Sequence, residues 1–183
     1  MTKGSKRLII LDRDGVLNAM VVDEDHGLVR SPLHPSQVTV LPGVPEALSR
    51  LTAAGYTLAI ATNQPGAAKG QTTKANLDAV HEKILEQVQS QGGVIHSSHI
   101  CFHKAEDVCR CRKPLPGLLQ DALNQTGSVP SQAWMVGDGV TDVMAGRALG
   151  MKTAFLGPQK CDACKVFDER VKARPQFWGQ NLI

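Results

Sequence analysis

Aromatic side chains are scarce in this sequence, at 4% of its 183 residues, and only one is a tyrosine. Binding of single-stranded nucleic acid by base stacking needs several such rings, so that class of function is disfavoured. A dominant charge is lacking too: 20 Lys and Arg stand against 17 Asp and Glu, a net +3, with no basic run. Proteins that bind a phosphate backbone concentrate positive charge, so no nucleic-acid partner is expected. No apolar stretch approaches the ~18 residues that would suggest a membrane-spanning helix. The early run Leu8-Ile9-Ile10-Leu11 is too short for the core of a secretion signal. A cytoplasmic location with no membrane partner is the expectation. Cysteines number five, and four of them form the close pairs Cys109/Cys111 and Cys161/Cys164. In a reducing compartment such pairs suggest metal or redox chemistry rather than a disulfide framework.

What is present suits an ordinary soluble domain. Hydrophobic residues make up 42% and charged residues 20%, enough for a core, and the length predicts one domain over residues 1–183. Short apolar runs predict strands at 7–11, 56–61, 94–101, 133–136 and 152–155. Between them, helical spacing predicts helices at 42–54, 72–91, 116–125 and 141–149. In the second of these, Leu77, Val80, Ile84, Leu85 and Val88 fall on one stripe. Pro42 suits a first turn, and Gly55 and Gly150 follow helix ends. This alternation predicts an α/β fold: a Rossmann-like parallel sheet with helices on both faces. Such sheets bind ligands beyond the carboxyl ends of their strands.

The residues at those ends are chemically potent. Asp12-Arg13-Asp14-Gly15 follows the first strand, and Asp138 follows a later one. Carboxylates so close repel one another and gain from a divalent cation, and Mg²⁺ favours such oxygen ligands. Alone, Asp-x-Asp-Gly reads equally well as an acidic turn. Thr62 and Asn63 bring a hydroxyl and an amide suited to phosphate oxygens, or to a plain capped loop. Lys113 adds a positive charge before Pro114, although most lysines are simply solvated. Their joint occurrence at strand ends favours phosphoryl chemistry. Cys101-x-His103 and Cys109-x-Cys111 supply three thiols and an imidazole, a tetrahedral Zn²⁺ shell with no open position, and hence a structural one. Its expected task is to pin the loop that ends at Lys113.

Four segments, Leu11-Asp12-Arg13-Asp14-Gly15-Val16-Leu17-Asn18, Ala61-Thr62-Asn63-Gln64, Arg112-Lys113-Pro114 and Val136-Gly137-Asp138, resemble the motifs of the haloacid dehalogenase superfamily of phosphatases, in order. The resemblance implies that Asp12 is the nucleophile and that Asp14 is the acid and then the base. It implies that Thr62 and Asn63 bind the phosphoryl group and that Lys113 neutralises charge. Mg²⁺ would be held by the Asp12 carboxylate, the Asp14 carbonyl and Asp138. Asp142 reads equally as a support for that metal or as a carboxylate at a helix N-terminus.

The Cys/His cluster is similar to the zinc-bearing branch of the superfamily with a minimal cap, which includes phosphatases of heptose bisphosphate and of histidinol phosphate. Asn18, Lys113-Pro114-Leu115-Pro116-Gly117 and His26-Gly27-Leu28-Val29 look more like the heptose-bisphosphate enzymes, with Gly139 a departure where those carry a basic residue. The branch resemblance assigns Asn18 and Arg112 to substrate contact. It implies a small phosphorylated substrate and a chain able to act as a monomer. His34, His81, His96 and His99 read as surface or strand-edge residues, Met20, Val21 and Val22 as ordinary packing ahead of an apolar patch beside the active site, His26 as a minor candidate for substrate contact, and Cys161/Cys164 as reduced thiols.

Overall fold

A computed structural model of the chain describes residues 6–24, 27–157 and 175–182. The readings made for His26, Cys161 and Cys164 lie outside the described residues.

The central layer is a six-stranded parallel sheet. Its strands are β1 (Leu8–Leu11), β4 (Thr57–Asn63), β5 (Ser97–Cys101), β6 (Ala133–Gly137), β7 (Lys152–Leu156) and β8 (Phe177–Gly179). They lie in the order β5-β4-β1-β6-β7-β8. The chain thus builds outward from β1 to one edge, then returns to the other side of β1 and builds to the opposite edge. That reversal opens a crevice at the end of β1, the place where ligands bind such sheets. In register, Leu11 faces Ile60 on one side and Val136 on the other, so Asp12, Thr62 and Asp138 come off neighbouring strands close together.

Alternation along β1 divides the core. Ile9 and Leu11, with Leu58 and Ile60 of β4, pack against α1 (Val44–Ala53) through Val44 and Leu48 and against α2 (Lys74–Gln89) through Val80, Ile84 and Val88. Leu8 and Ile10, with Ala59 and Ala61, pack on the other face against α3 (Gly117–Thr126) through Leu118, Leu119 and Leu123 and against α4 (Val140–Ala148) through Ala145. Helices therefore cover both faces, as the alternation of apolar runs implies. Local signals set their ends. The Thr73 hydroxyl accepts from the N–H of Asn76 at 3.1 Å and caps α2, and Gly127, at φ 70°, closes α3 with its N–H on the Leu123 carbonyl.

Three elements differ from the sequence expectation. A hairpin of β2 (Val21–Asp23) and β3 (Leu28–Arg30) stands between β1 and α1, tied by an Arg30–Asp23 ion pair of 2.6 Å. Its strands are three residues long and leave Val22, Leu28 and Val29 exposed, so they carry no burial alternation to read. This hairpin is the minimal cap. β8 forms an extra edge strand, with the Trp178 ring 4.8 Å from that of Phe155. β5 begins at Ser97 rather than 94, because only the later residues of that run reach β4.

Candidate active site

β1 ends at Leu11, and the next three residues carry the centre of the site. The N–H of Asp12 donates to the Val136 carbonyl at 2.8 Å, which fixes the strand end against β6. One oxygen of the Asp12 carboxylate, Oδ1, accepts from the N–H of Arg13 at 2.7 Å and pairs with the Lys113 ammonium at 3.0 Å. Gly15 then turns the chain at φ 81° directly under Asp138; a Cβ there would lie 2.1 Å from Asp138 Oδ2. Both the positive φ and the close approach require glycine.

Lys113 is 3% exposed, and its ammonium has three acceptors: Asp12 Oδ1, Asp142 Oδ1 at 2.6 Å and the Ala61 carbonyl at 2.7 Å. Burial alone favours the neutral amine. The Asp12 and Asp142 charges and their hydrogen bonds outweigh it, so Lys113 is held above its ordinary value and stays charged. The side-chain amide of Asn63 closes on the main chain of Lys113, accepting from its N–H and donating to its carbonyl, each at 3.0 Å. Asn63 thus locks the lysine to the end of β4 while also lining the cavity beside it.

Asp142, on the first turn of α4, accepts from the Gly139 N–H at 3.0 Å as well as pairing with Lys113. It is a carboxylate in the first turn of the helix, as one of its two readings expects, and it also neighbours Asp12 and Asp138. Carboxylate oxygens of Asp12, Asp138 and Asp142 lie within 4.8 Å of one another. Burial, and then the Asp12 charge, push Asp142 up to about 7, while Lys113 and the Gly139 N–H pull it down. Lys113 pairs with two of these carboxylates, Asp12 and Asp142. Carboxylate oxygens gathered this closely are an all-oxygen donor set that suits a hard divalent cation.

Asp14 is enclosed rather than displayed. Arg13 reaches both its oxygens at 3.1 Å, Asn18 donates at 2.9 Å and Gln64 at 2.6 Å. Burial raises this carboxyl. The Arg13 charge and hydrogen bonds from Arg13, Ser31 and Gln64 outweigh that and hold it below the ordinary carboxylate value. Asn18 has no exposed surface, and its amide serves Asp14 and the Ala19 carbonyl. That corrects the substrate contact expected for Asn18: a side chain sealed behind Asp14 supports the carboxylate and does not reach the cavity.

The cavity itself is about 200 Å³ and is lined by Asp12, Asp14, Thr62, Lys113 and Asp138, with Met20 and Ser31 at the roots of the hairpin. Met20 therefore lies beside the site, the second of its two readings. Arg112 stays outside this wall, and its guanidinium donates to the His103 carbonyl at 3.1 Å. Arg13 and Gln64 carry no assigned role at the level of sequence, yet both are fully buried here. The usable signal was a long polar side chain at the end of a strand buried on both faces, where only a polar partner lets it remain.

The second cluster sits where β5 runs into the loop before α3. Cys101 Sγ lies 3.6 Å from His103 Nδ1, 4.0 Å from Cys109 Sγ and 3.0 Å from Cys111 Sγ, and His103 Nδ1 lies 3.3 Å from Cys111 Sγ. Burial first, and then the neighbouring Cys101 and Cys109, push the Cys111 thiol up to about 12. Thiols crowded in this way resist ionising together, and a divalent cation removes that penalty. The loop they enclose leads directly to Arg112 and Lys113.

Comparison with known proteins places the chain in one family. A family model described as haloacid dehalogenase-like hydrolase matches residues 18–150. The chain is 40% identical over 174 residues to D-glycero-beta-D-manno-heptose-1,7-bisphosphate 7-phosphatase of Pseudomonas aeruginosa, covering 90% of this chain and 94% of that one. It is 39% identical over 150 residues to the protein of the same name from Neisseria meningitidis, covering 82% and 76%. Among solved structures, the D,D-heptose 1,7-bisphosphate phosphatase of B. bronchiseptica, complexed with magnesium and phosphate, superposes with a TM-score of 0.78 at 33% identity, covering 96% of this chain and 93% of that one.

Proposed function

This chain belongs to the haloacid dehalogenase-like hydrolases, and we propose that it is a Mg²⁺-dependent phosphatase of D-glycero-D-manno-heptose 1,7-bisphosphate that removes the phosphate at C7. The substrate comes from the relatives, whose names specify it over nine-tenths of the chain. One geometric observation supports the chemistry above all others: the buried Lys113 ammonium shared between Asp12 and Asp142. A charged lysine held on a carboxylate at a cavity mouth suits a nucleophile that must meet a phosphoryl dianion.

In this reading an Asp12 carboxylate oxygen attacks phosphorus and the bond from phosphorus to the sugar oxygen breaks. Asp14 gives the departing oxygen its proton. A water then loses a proton to Asp14 and attacks the aspartyl-phosphate, releasing inorganic phosphate and restoring Asp12. Thr62 donates its hydroxyl to the transferring group. Asn63 has one amide hydrogen committed to Lys113 and a second for a phosphoryl oxygen. The Asp12 carboxylate, the Asp14 main-chain carbonyl and Asp138 would hold Mg²⁺, whose contribution when bound is positive charge on the phosphoryl oxygens. Cys101, His103, Cys109 and Cys111 would hold one Zn²⁺ as a closed structural site.

A cavity of about 200 Å³ is smaller than the ~300–1,000 Å³ of pockets that enclose a whole small ligand. It takes the phosphoryl end, and the remainder of the sugar lies over the rim formed by the hairpin roots and Arg112. Residues 1–183 act as one phosphatase domain and as a monomer in this reading. A panel of phosphate esters with Mg²⁺ tests it, comprising both heptose 1,7-bisphosphate anomers, fructose 1,6-bisphosphate and histidinol phosphate. A heptose bisphosphate should give the highest kcat/KM; preference for histidinol phosphate would overturn the substrate while keeping the chemistry.

A further inference from the structure

We propose that Gln64 is a positioning residue for the phosphatase reaction: its single side-chain amide joins the phosphoryl-binding hydroxyl of Thr62 to the carboxylate of Asp14. The inference rests on the roles given above to Thr62 and Asp14.

Gln64 follows β4 directly and is 1% exposed. Its own N–H donates to the Cys101 carbonyl at 2.6 Å, which fixes its backbone to the end of β5. Its Nε2 lies 2.6 Å from Asp14 Oδ2 and 2.9 Å from Thr62 Oγ1. An amide nitrogen carries two hydrogens, and this geometry uses both.

Two consequences follow for the partners. Because Thr62 Oγ1 accepts from Gln64, its own hydrogen is turned away toward another acceptor. The cavity that Thr62 lines is where a phosphoryl oxygen would sit. Asp14 is affected differently. Its carboxylate is held by donors on both oxygens: Arg13 Nε and Asn18 on Oδ1, Arg13 Nη2 and Gln64 on Oδ2, with Ser31 a further hydrogen-bond partner from the hairpin side. Arg13 and Asn18 belong to the same turn as Asp14 and move with it. Gln64 alone of these donors arrives from the strand that carries Thr62. It therefore sets the direction of Asp14 relative to the phosphoryl group, and a proton transfer misplaced by even ~1 Å is slow.

The test compares Gln64→Met with the unmodified enzyme, both with Mg²⁺ and on two substrates. One is p-nitrophenyl phosphate, whose leaving group departs without a proton. The other is the sugar phosphate that the unmodified enzyme turns over fastest. The expected result is a fall in kcat/KM of about 100-fold on the sugar phosphate and a much smaller fall on p-nitrophenyl phosphate. On the activated ester kcat should fall more than kcat/KM, with a burst of nitrophenol approaching one per chain, because Asp14 is also misplaced as the base for the second step. An equal fall on both substrates without a burst, or no fall on either, overturns the proposal. Should Gln64→Met not fold, Gln64→Asn keeps an uncharged amide one methylene too short to span both partners and is judged by the same two criteria. Asp14→Asn runs in parallel. If it too loses both substrates equally, the acid role of Asp14 fails; if it shows the asymmetry and the Gln64 variant does not, only this inference fails.

Discussion

Lys113 and His81 show how much single buried groups decide here. Removing the Lys113 ammonium leaves the Asp12 and Asp142 carboxylates facing each other with no cation between them. Breaking a buried charge pair by deleting one partner costs ~3–5 kcal/mol. Lys113→Met should lose stability on that scale in urea unfolding without Mg²⁺, and its turnover should collapse. A variant as stable as the parent would show that the pair is not buried as described. His81, on α2, is 8% exposed and is a correction to its reading as a surface residue. Burial, and then the Arg13 charge, push it down to about 4, against weaker upward pulls from Asp14 and Asp78. The folded state therefore takes up its proton near pH 4 and the unfolded state near pH 6.5, so the unfolded chain binds more protons in between. Its stabilising effect is complete above pH 6.5 and is lost as pH falls toward 4, by ~3 kcal/mol in all. His81→Leu should flatten that part of the stability profile, as read by denaturant midpoints at stepped pH. An unchanged slope would contradict the shift. Gly15 acts through its backbone turn rather than through burial. Gly15→Ala should weaken Mg²⁺ binding in calorimetry, because a Cβ has no room against Asp138.

Between residue and fold lie the elements that bring these groups together. The segment from Cys101 to Lys113 runs from the last residue of β5 to the buried lysine. Its charged and polar residues give it little apolar surface to bury, so its order depends on the Cys/His cluster and on the Asn63 clamp. Cys109→Ser, or zinc withdrawal with a chelator followed by Mg²⁺ replenishment, should displace Lys113 and cut kcat/KM by about 100-fold. Metal analysis of the unmodified protein should find about one zinc per chain. Full activity in a zinc-free sample would remove the structural role of this cluster. Elements differed in how far the sequence exposed them. β1, β4 and β6 were legible because strands covered on both faces read as unbroken apolar runs ending in polar residues. The hairpin of β2 and β3 was not, since its three-residue strands are held by cross-strand pairing and one ion pair rather than by a buried face. Helix ends came within one or two residues, as caps are local signals.

For the molecule as a whole, the strand order places Asp12, Thr62, Lys113 and Asp138 around one cavity although they span most of the chain. That convergence could be anticipated from strand-end chemistry. The inner contacts could not. Asn18 turning behind Asp14, Gln64 bridging to it and His81 buried within reach of its charge depend on side-chain directions that spacing does not encode. The proposed chemistry turns on one event, the transfer of a phosphoryl group to Asp12. The direct measurement is an acid quench during turnover with Mg²⁺, followed by peptide mass mapping. One phosphoryl group on Asp12, present only with substrate, is the predicted result. A sample that turns over substrate and yields the phosphoryl group on another residue, or on none, would contradict the account.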